Sequence, residues 1–353
     1  MSGESRPAAS AVCLPARSVG GFRREGVDED SFTLAVGASE LLESLDPGGD
    51  IQGVHLFDAG SGDGSTLLST ALGLSSVPLV VHPDREDALR EFLDARAAST
   101  DPPSGCLLLF VDALGERDPR GELMRDSAAV AVRLGGPPPR APLPARGGPA
   151  SKRTLGGDAS ALRAALRWLE EGPSRWWVPE SHVEASVPPS PARSVDLGGV
   201  SEGAYVPRAS YLQNLPSRWR FAADRCPACG TLTFPRRGRC RNCSRTEGLA
   251  TVELPRAGGI VEAVTTVHPG AQPSEFDWSV ERRGAYDVAL VRLSEGARVT
   301  LQVTDCPPGT LHPGESIATV LRRLYPMEGE WRYGRKAVPI ALTWAGSGSG
   351  LPT

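Results

Sequence analysis

The chain has 353 residues, 40% apolar and 23% charged, with a net charge of −4, as expected of a water-soluble globular protein with room for two domains. That balance gives no whole-chain support for a nucleic-acid or membrane-surface partner, and no run approaches the roughly 18 apolar residues of a membrane span. The opening MSGESRPAASAV lacks the basic and apolar stretches of a secretory signal. Glycine (40) and proline (32) demand extensive loops, and seven cysteines, an odd number, fit a reducing cytoplasm rather than a disulfide framework.

Residues 1–136 read as α/β. SFTLAVGASELLESL (31–45) has apolar residues at helical spacing after Asp28, Glu29 and Asp30, which suit a helix start. GVHLFDAG (53–60) predicts a strand that runs into a glycine-rich turn, GSGDGST. That turn lacks both G-x-G-x-x-G and a G-K-[ST] ending, so a plain turn is favoured over a phosphate loop. SVPLVV (76–81), CLLLFVDA (106–113) and AAVAVRLG (128–135) predict further strands, and EDALREFLDARAAS (86–99) a helix. The unbroken apolar runs favour strands covered on both faces. His82 reads as a loop-tip histidine, and His55, His182, His268 and His312 as isolated. Cys106, at the head of an apolar strand, reads as a packing residue, and Cys13 lies in the first strand candidate.

Residues 137–202 read as a linker, because GGPPPRAPLPARGGPASKR (135–153) and ASVPPSPARSVDLGG (185–199) are too rich in Pro and Gly to pack. One amphipathic helix, 158–172, interrupts it, with Leu162, Leu166 and Leu169 along one side.

The most informative run is CPACGTLTFPRRGRCRNC, which places Cys226, Cys229, Cys240 and Cys243 as two C-x2-C pairs ten residues apart. Each turn aims two sulfurs at one point, and the hairpin between them joins the pairs. Four thiolates closing a tetrahedron make a structural zinc site with no open position, and iron in the same S4 geometry is a rival. Beyond it, residues 249–345 carry spaced strand candidates, TVELPRAGGIVEAVTTV, YDVALVRLSEG, ARVTLQVTDC and ESIATVLRRLYP. About five short strands suit a small closed barrel. RRGRCR (236–241), Arg322 and Arg323 are basic, and Phe234, Tyr286 and Tyr325 aromatic, which raises single-strand nucleic-acid binding. Glu262, Glu281, Asp287, Glu295 and Asp305 dilute that field and weigh against it.

From about 203 to 340 the chain resembles the family in which a rubredoxin-like zinc ribbon is fused to an OB-fold. The match rests on SYLQNLPSRWRFAADRCPACGTLTFPRRGRCRNC, then GGIVEAVTTV, AYDVALVRLSEGARVTLQVTDC, HPGESIATVLRRL and WRYGRKAVP. Members accompany thiolases and hydroxymethylglutaryl-CoA synthases. The resemblance implies a helical lead-in and ribbon over 203–248, an OB barrel over 249–345, and zinc held by the four cysteines. It also implies docking on a condensing enzyme and a share in its acyl-CoA passage.

Residues 11–136 resemble the first half of a thiolase or hydroxymethylglutaryl-CoA synthase domain, through AVCLPARSVGGFRREGVDEDSFTLAVGAS, ALGLSSVPLVV, EDALREFLDA, SGCLLLFVDALGERDPRG and RDSAAVAVRLG. That likeness places His82 where the family carries its nucleophilic cysteine, and it finds no second half. Expected, then, is an α+β multidomain protein and a noncatalytic accessory of a thiolase-type enzyme in a cytoplasmic hetero-oligomer, with CoA possible at a shared interface. The alternative is an acyl-CoA enzyme with a displaced nucleophile, Cys13 or Cys106.

Overall fold

In the computed structural model the described residues are 7–13, 17–19, 22–24, 28–45, 51–58, 65–83, 105–112, 128–134, 183–184, 206–327 and 330–340, with single positions between 88 and 95. The chain divides into two units, Met1–Ser186 with Trp344–Thr353, and Val187–Thr343. The expected helix at 158–172 lies outside the described residues, as does most of that at 86–99.

The first unit holds strands β1 (Pro7–Cys13), β2 (Arg17–Val19), β3 (Phe22–Arg24), β4 (Gly53–Asp58), β5 (Leu79–Pro83), β6 (Cys106–Asp112), β7 (Ala128–Leu134) and β8 (Val183–Glu184), and helices α1 (Ser31–Leu45) and α2 (Ser65–Leu72). Its main sheet runs in the order β1-β7-β6-β4-β5, and a small one in the order β3-β2-β8. The β4, β5 and β6 strands are parallel, whereas β7 and β1 join antiparallel, so the main sheet is mixed. Cys106 to Val111 are all buried, as an unbroken apolar run in a central strand requires. The edge strand β5 departs from that expectation, since Val80 and Val81 are 43% and 54% exposed.

Helix α1 begins where its acidic lead-in predicts. The Asp30 carboxylate accepts from the Thr33 amide at 2.9 Å, and the Thr33 hydroxyl lies 2.8 Å from the Asp30 amide, a reciprocal cap. Helix α2 was not legible, because STLLSTAL follows a glycine-rich turn and is too short for a clear period.

The second unit opens with helices α3 (Arg208–Gln213) and α4 (Leu215–Trp219), then β9 (Ala222–Arg225), β10 (Leu232–Thr233) and β11 (Ala250–Glu253) in a small antiparallel sheet of order β10-β9-β11. Next come β12 (Ala257–Val267), helix α5 (Asp277–Arg283), β13 (Tyr286–Arg292), β14 (Arg298–Gln302), β15 (Ser316–Met327) and β16 (Glu330–Pro339). These five strands pair antiparallel in the order β14-β13-β12-β15-β16. A parallel bridge from Val303 to Ala337 brings the β14 end back to β16 and all but closes the sheet, the arrangement of a five-stranded OB barrel. Gly259 lets β12 pack closely against the side chains of its neighbouring strands, because a Cβ there would lie 2.7 Å from Val291 Cγ1. Helix α5, between the first two barrel strands, was not anticipated.

The strand β16 is buried on both faces from Arg332 to Val338, because the lead-in helices cover the face turned from the barrel. Tyr211 and Trp219 pin it. The Tyr211 hydroxyl accepts from the Tyr333 amide at 2.8 Å and donates to its carbonyl at 3.1 Å, and the Trp219 indole donates to the same carbonyl at 3.0 Å. Burial pushes the Tyr211 hydroxyl up to about 12, so it is a neutral donor at any working pH.

Candidate metal centre

Two turns of like construction hold the four cysteines. In the first, the Gly230 amide donates to the Cys226 carbonyl at 2.9 Å and the Cys226 amide to the Thr231 carbonyl at 3.0 Å. In the second, Ser244 donates to Cys240 at 3.0 Å and Cys240 to Arg245 at 2.8 Å. Each turn ends on a left-handed residue, Gly230 at φ 70° and Ser244 at φ 63°. Glycine takes that conformation freely, whereas serine takes it at a cost.

The sulfurs converge. All four lie within 4.8 Å of one another, with Cys226 to Cys243 at 3.5 Å and Cys229 to both Cys240 and Cys243 at 3.6 Å. A tetrahedron of sulfurs at about 2.3 Å from a zinc ion has edges of about 3.8 Å. The four cysteines that the sequence singled out therefore fit such an ion. Cys226 and Cys240 are buried, Cys229 and Cys243 exposed.

Electrostatics favour a cation at this point. The Thr231 hydroxyl, 3.3 Å from Cys229 Sγ, and the Thr231 amide hold that thiol down, at about 6. An amide donation from Arg245 favours the Cys243 thiolate, but hydrogen bonds with Cys226 and Cys229 push its thiol up to about 11. Four sulfurs this close cannot all shed their protons without a positive charge between them, and a divalent ion supplies one.

The hairpin between the turns is held by Asp224 on β9, a carboxylate only 2% exposed. It accepts from Arg236 Nε at 2.9 Å and from the amides of Arg237 and Gly238 at 3.1 and 3.0 Å. Burial opposes its ionisation, but donation from Arg236, Gly238 and Arg237 prevails and holds it below the usual carboxylate value. Ser217 in the middle of α4 accepts from the Arg236 amide, and Thr233 from that of Arg241. Sequence reading missed these supports, because an aspartate in AADRC carries no signal until the hairpin folds over it.

These features meet the comparisons with known proteins. Residues 218–248 match the family model described as "ChsH2, rubredoxin-like zinc ribbon domain". A "DUF35 domain-containing scaffold protein" of Methanocaldococcus jannaschii is 32% identical over 130 residues, 36% of this chain and 87% of the relative. The chain belongs to the family of DUF35 domain-containing scaffold proteins. Its relative in Methanothermobacter thermautotrophicus is 30% identical over 129 residues, 36% of this chain and 92% of that protein. Among solved structures, the "Ltp2-ChsH2(DUF35) aldolase" is 24% identical, covers 39% of this chain and 98% of its own, and has a TM-score of 0.30. The hydroxymethylglutaryl-CoA synthase PksG of Bacillus subtilis is 18% identical, with 37% and 39% covered and a TM-score of 0.30.

The remaining residues singled out from sequence fall elsewhere. His82 is no loop tip but lies in β5, and His55 is not isolated: its Nδ1 is 3.0 Å from His82 Nε2. Parallel pairing sets Phe57 beside His82 and His55 beside Val80, which makes the two histidines diagonal neighbours stacked among Phe57, Phe92 and Phe110. Residues 27 apart in sequence meet only once that register is known. Cys106 is 2% exposed in β6, as a packing residue should be. Arg322 pairs with Asp305 at 3.1 Å, Arg323 lies over Trp331, and Tyr286 and Tyr325 both pack on Phe276.

Proposed function

We propose that this protein is a noncatalytic accessory subunit that binds a thiolase or hydroxymethylglutaryl-CoA synthase type enzyme, in a hetero-oligomer of the cytoplasm. Membership of the scaffold family carries this reading. Cys226, Cys229, Cys240 and Cys243 would hold a structural zinc ion, whose chemistry there is that of a cross-link between two turns. The described residues include no helix long and apolar enough to cross a membrane. We organise the chain as a reduced thiolase-like module (1–136), a linker with one helix (137–202), lead-in and ribbon (203–248) and OB barrel (249–345). The barrel would border the acyl-CoA passage of the partner, with CoA touching both proteins at their interface.

The test is purification of the tagged protein from its own cells, with mass spectrometry of its companions and assay of bound metal. A thiolase or synthase at fixed stoichiometry, with one zinc per chain, is the expected outcome. Recovery of the chain alone would overturn the accessory role, and iron in place of zinc would overturn the metal assignment.

A further inference from the structure

Most exposed arginines on the OB barrel and lead-in are paired, although Arg218 lies over the Tyr211 ring instead. Arg208 meets Glu330, Arg225 meets Glu295, and Arg292 and Arg298 share Glu262. The ribbon differs. Arg237, Arg239 and Arg241 are exposed, and among the described residues none has an ion-pair partner. Of residues 227–248 only Leu232, Thr233 and Cys240 are buried, so the ribbon stands out from the fold. That stretch carries five arginines and one acid, Glu247. Even with the double negative charge of a zinc tetrathiolate it stays cationic, on a chain whose net charge is −4.

The tip is also held in place. Asp224 takes the Arg237 and Gly238 amides and the Arg236 guanidinium, so the backbone that carries Arg237 is anchored while its guanidinium has no part in these bonds. Holding a charged tip rigid before contact lowers the ordering cost of binding.

We propose that Arg237, Arg239 and Arg241 form an electrostatic docking knob for a carboxylate-rich surface on the partner enzyme. This rests on the accessory reading and deepens it. Three observations favour a protein surface over other anions. The tip is open at Gly238, between Arg237 and Arg239, where a Cβ would meet nothing within 4 Å, as suits contact with a broad surface. A single-strand nucleic-acid surface wants stacking aromatics among its cations, yet the one aromatic of the hairpin, Phe234, is spent against Phe221. Guanidinium groups also pair with carboxylates in two-pronged fashion and are enriched at protein interfaces.

The experiment uses the full zinc-loaded chain and the enzyme recovered with it. Association and dissociation rates are read by surface-based binding at about 0.1 M and about 1 M salt, where the screening length falls from about 10 Å to about 3 Å. The variant R237Q/R239Q/R241Q is compared with R225Q/R292Q/R298Q, which removes the same charge from paired sites. Expected is an association rate about tenfold lower for the ribbon variant at low salt, with the difference lost at high salt and dissociation little changed. Zinc content should equal that of the parent chain. Equal association rates in parent and ribbon variant would overturn the knob and leave the accessory role standing. So would equal slowing by both variants. Binding of free CoA, or of a polythymidine strand, that only the ribbon variant loses would reassign the arginines to that ligand. Recovery of no thiolase or synthase by the parent chain would remove the accessory role, and the knob with it.

Discussion

Replacing Asp224 by asparagine tests how the hairpin between the cysteine pairs is held. Asparagine keeps the shape, so no cavity opens. It can turn its one oxygen to the Arg237 and Gly238 amides, now as neutral hydrogen bonds, but its amino group then faces the Arg236 guanidinium. That guanidinium is 41% exposed and can turn to water, so the lost ion pair counts for well under its contact value. Weakened bonds to a buried carboxylate then dominate, at about 2 kcal/mol in all. Asp224→Ala strands both amides and should cost about 4 kcal/mol. If zinc leaves through opening of this hairpin, these losses speed transfer of zinc to a coloured chelator by about 30-fold and about 1000-fold. Zinc transfer from the Asn variant within about threefold of the parent rate would refute the role given to Asp224. The pH dependence is a second check. A carboxyl depressed below its ordinary 3.8 contributes stability that is complete above that value and lost only as pH falls through the folded value below it. Zinc loss between pH 6 and pH 4.5 must therefore come from protonation of sulfur, and Asp224→Asn should leave the midpoint of that loss in place.

Three further outcomes follow from the geometry. Ser244→Gly should stabilise the zinc-loaded ribbon by about 0.5–1 kcal/mol, and Gly230→Ser should destabilise it by a similar amount, because both positions are left-handed; urea unfolding of the loaded chain reads both. Tyr211→Phe leaves the buried Tyr333 amide without its acceptor and should cost about 1–3 kcal/mol, seen as 10- to 100-fold faster exchange of that amide. Gly259→Ala drives a methyl group to 2.7 Å from Val291 Cγ1 and should cost about 1–3 kcal/mol in thermal unfolding, part of which Val291→Ala in the same chain restores.

Legibility from sequence tracked how local the signal was. The cysteine tetrad is written in one run of 18 residues, and barrel strands such as YDVALVR announce themselves as apolar, β-branched runs bounded by turn residues. The closure of that barrel was less direct, since the Val303 to Ala337 bridge joins residues that no local pattern links. The same holds for the Tyr211 anchor on Tyr333 and for the His55–His82 contact, each of which depends on register. SVPLVV looked like a covered strand because its composition is apolar, and composition cannot say whether a strand is central or at the edge. Asp224 and the three unpaired arginines fall in the same class. Their meaning lies in which neighbours the fold supplies or withholds.

The ribbon is joined to the barrel by more than the chain. Phe221 and Ala223 beside the first cysteine turn, Leu232 after it and Leu254 beyond the second belong to one buried cluster with Val261, Ala289, Val291, Ile317 and Ala337 of the barrel. Only the outer part, from Pro235 to Gly248, buries no aliphatic or aromatic side chain and would depend on the metal ion to stay folded. Its inner end is therefore as rigid as the barrel core, and its outer end as rigid as the ion and Asp224 make it. An arginine-bearing tip fixed at both ends meets a partner surface at a set distance and angle from the barrel. A scaffold needs that property, and an arginine-rich loop on a flexible stem would lack it. Metal, carboxylate and shared core thus act on one quantity, the position of the tip, and none of the three needs to touch a reacting atom.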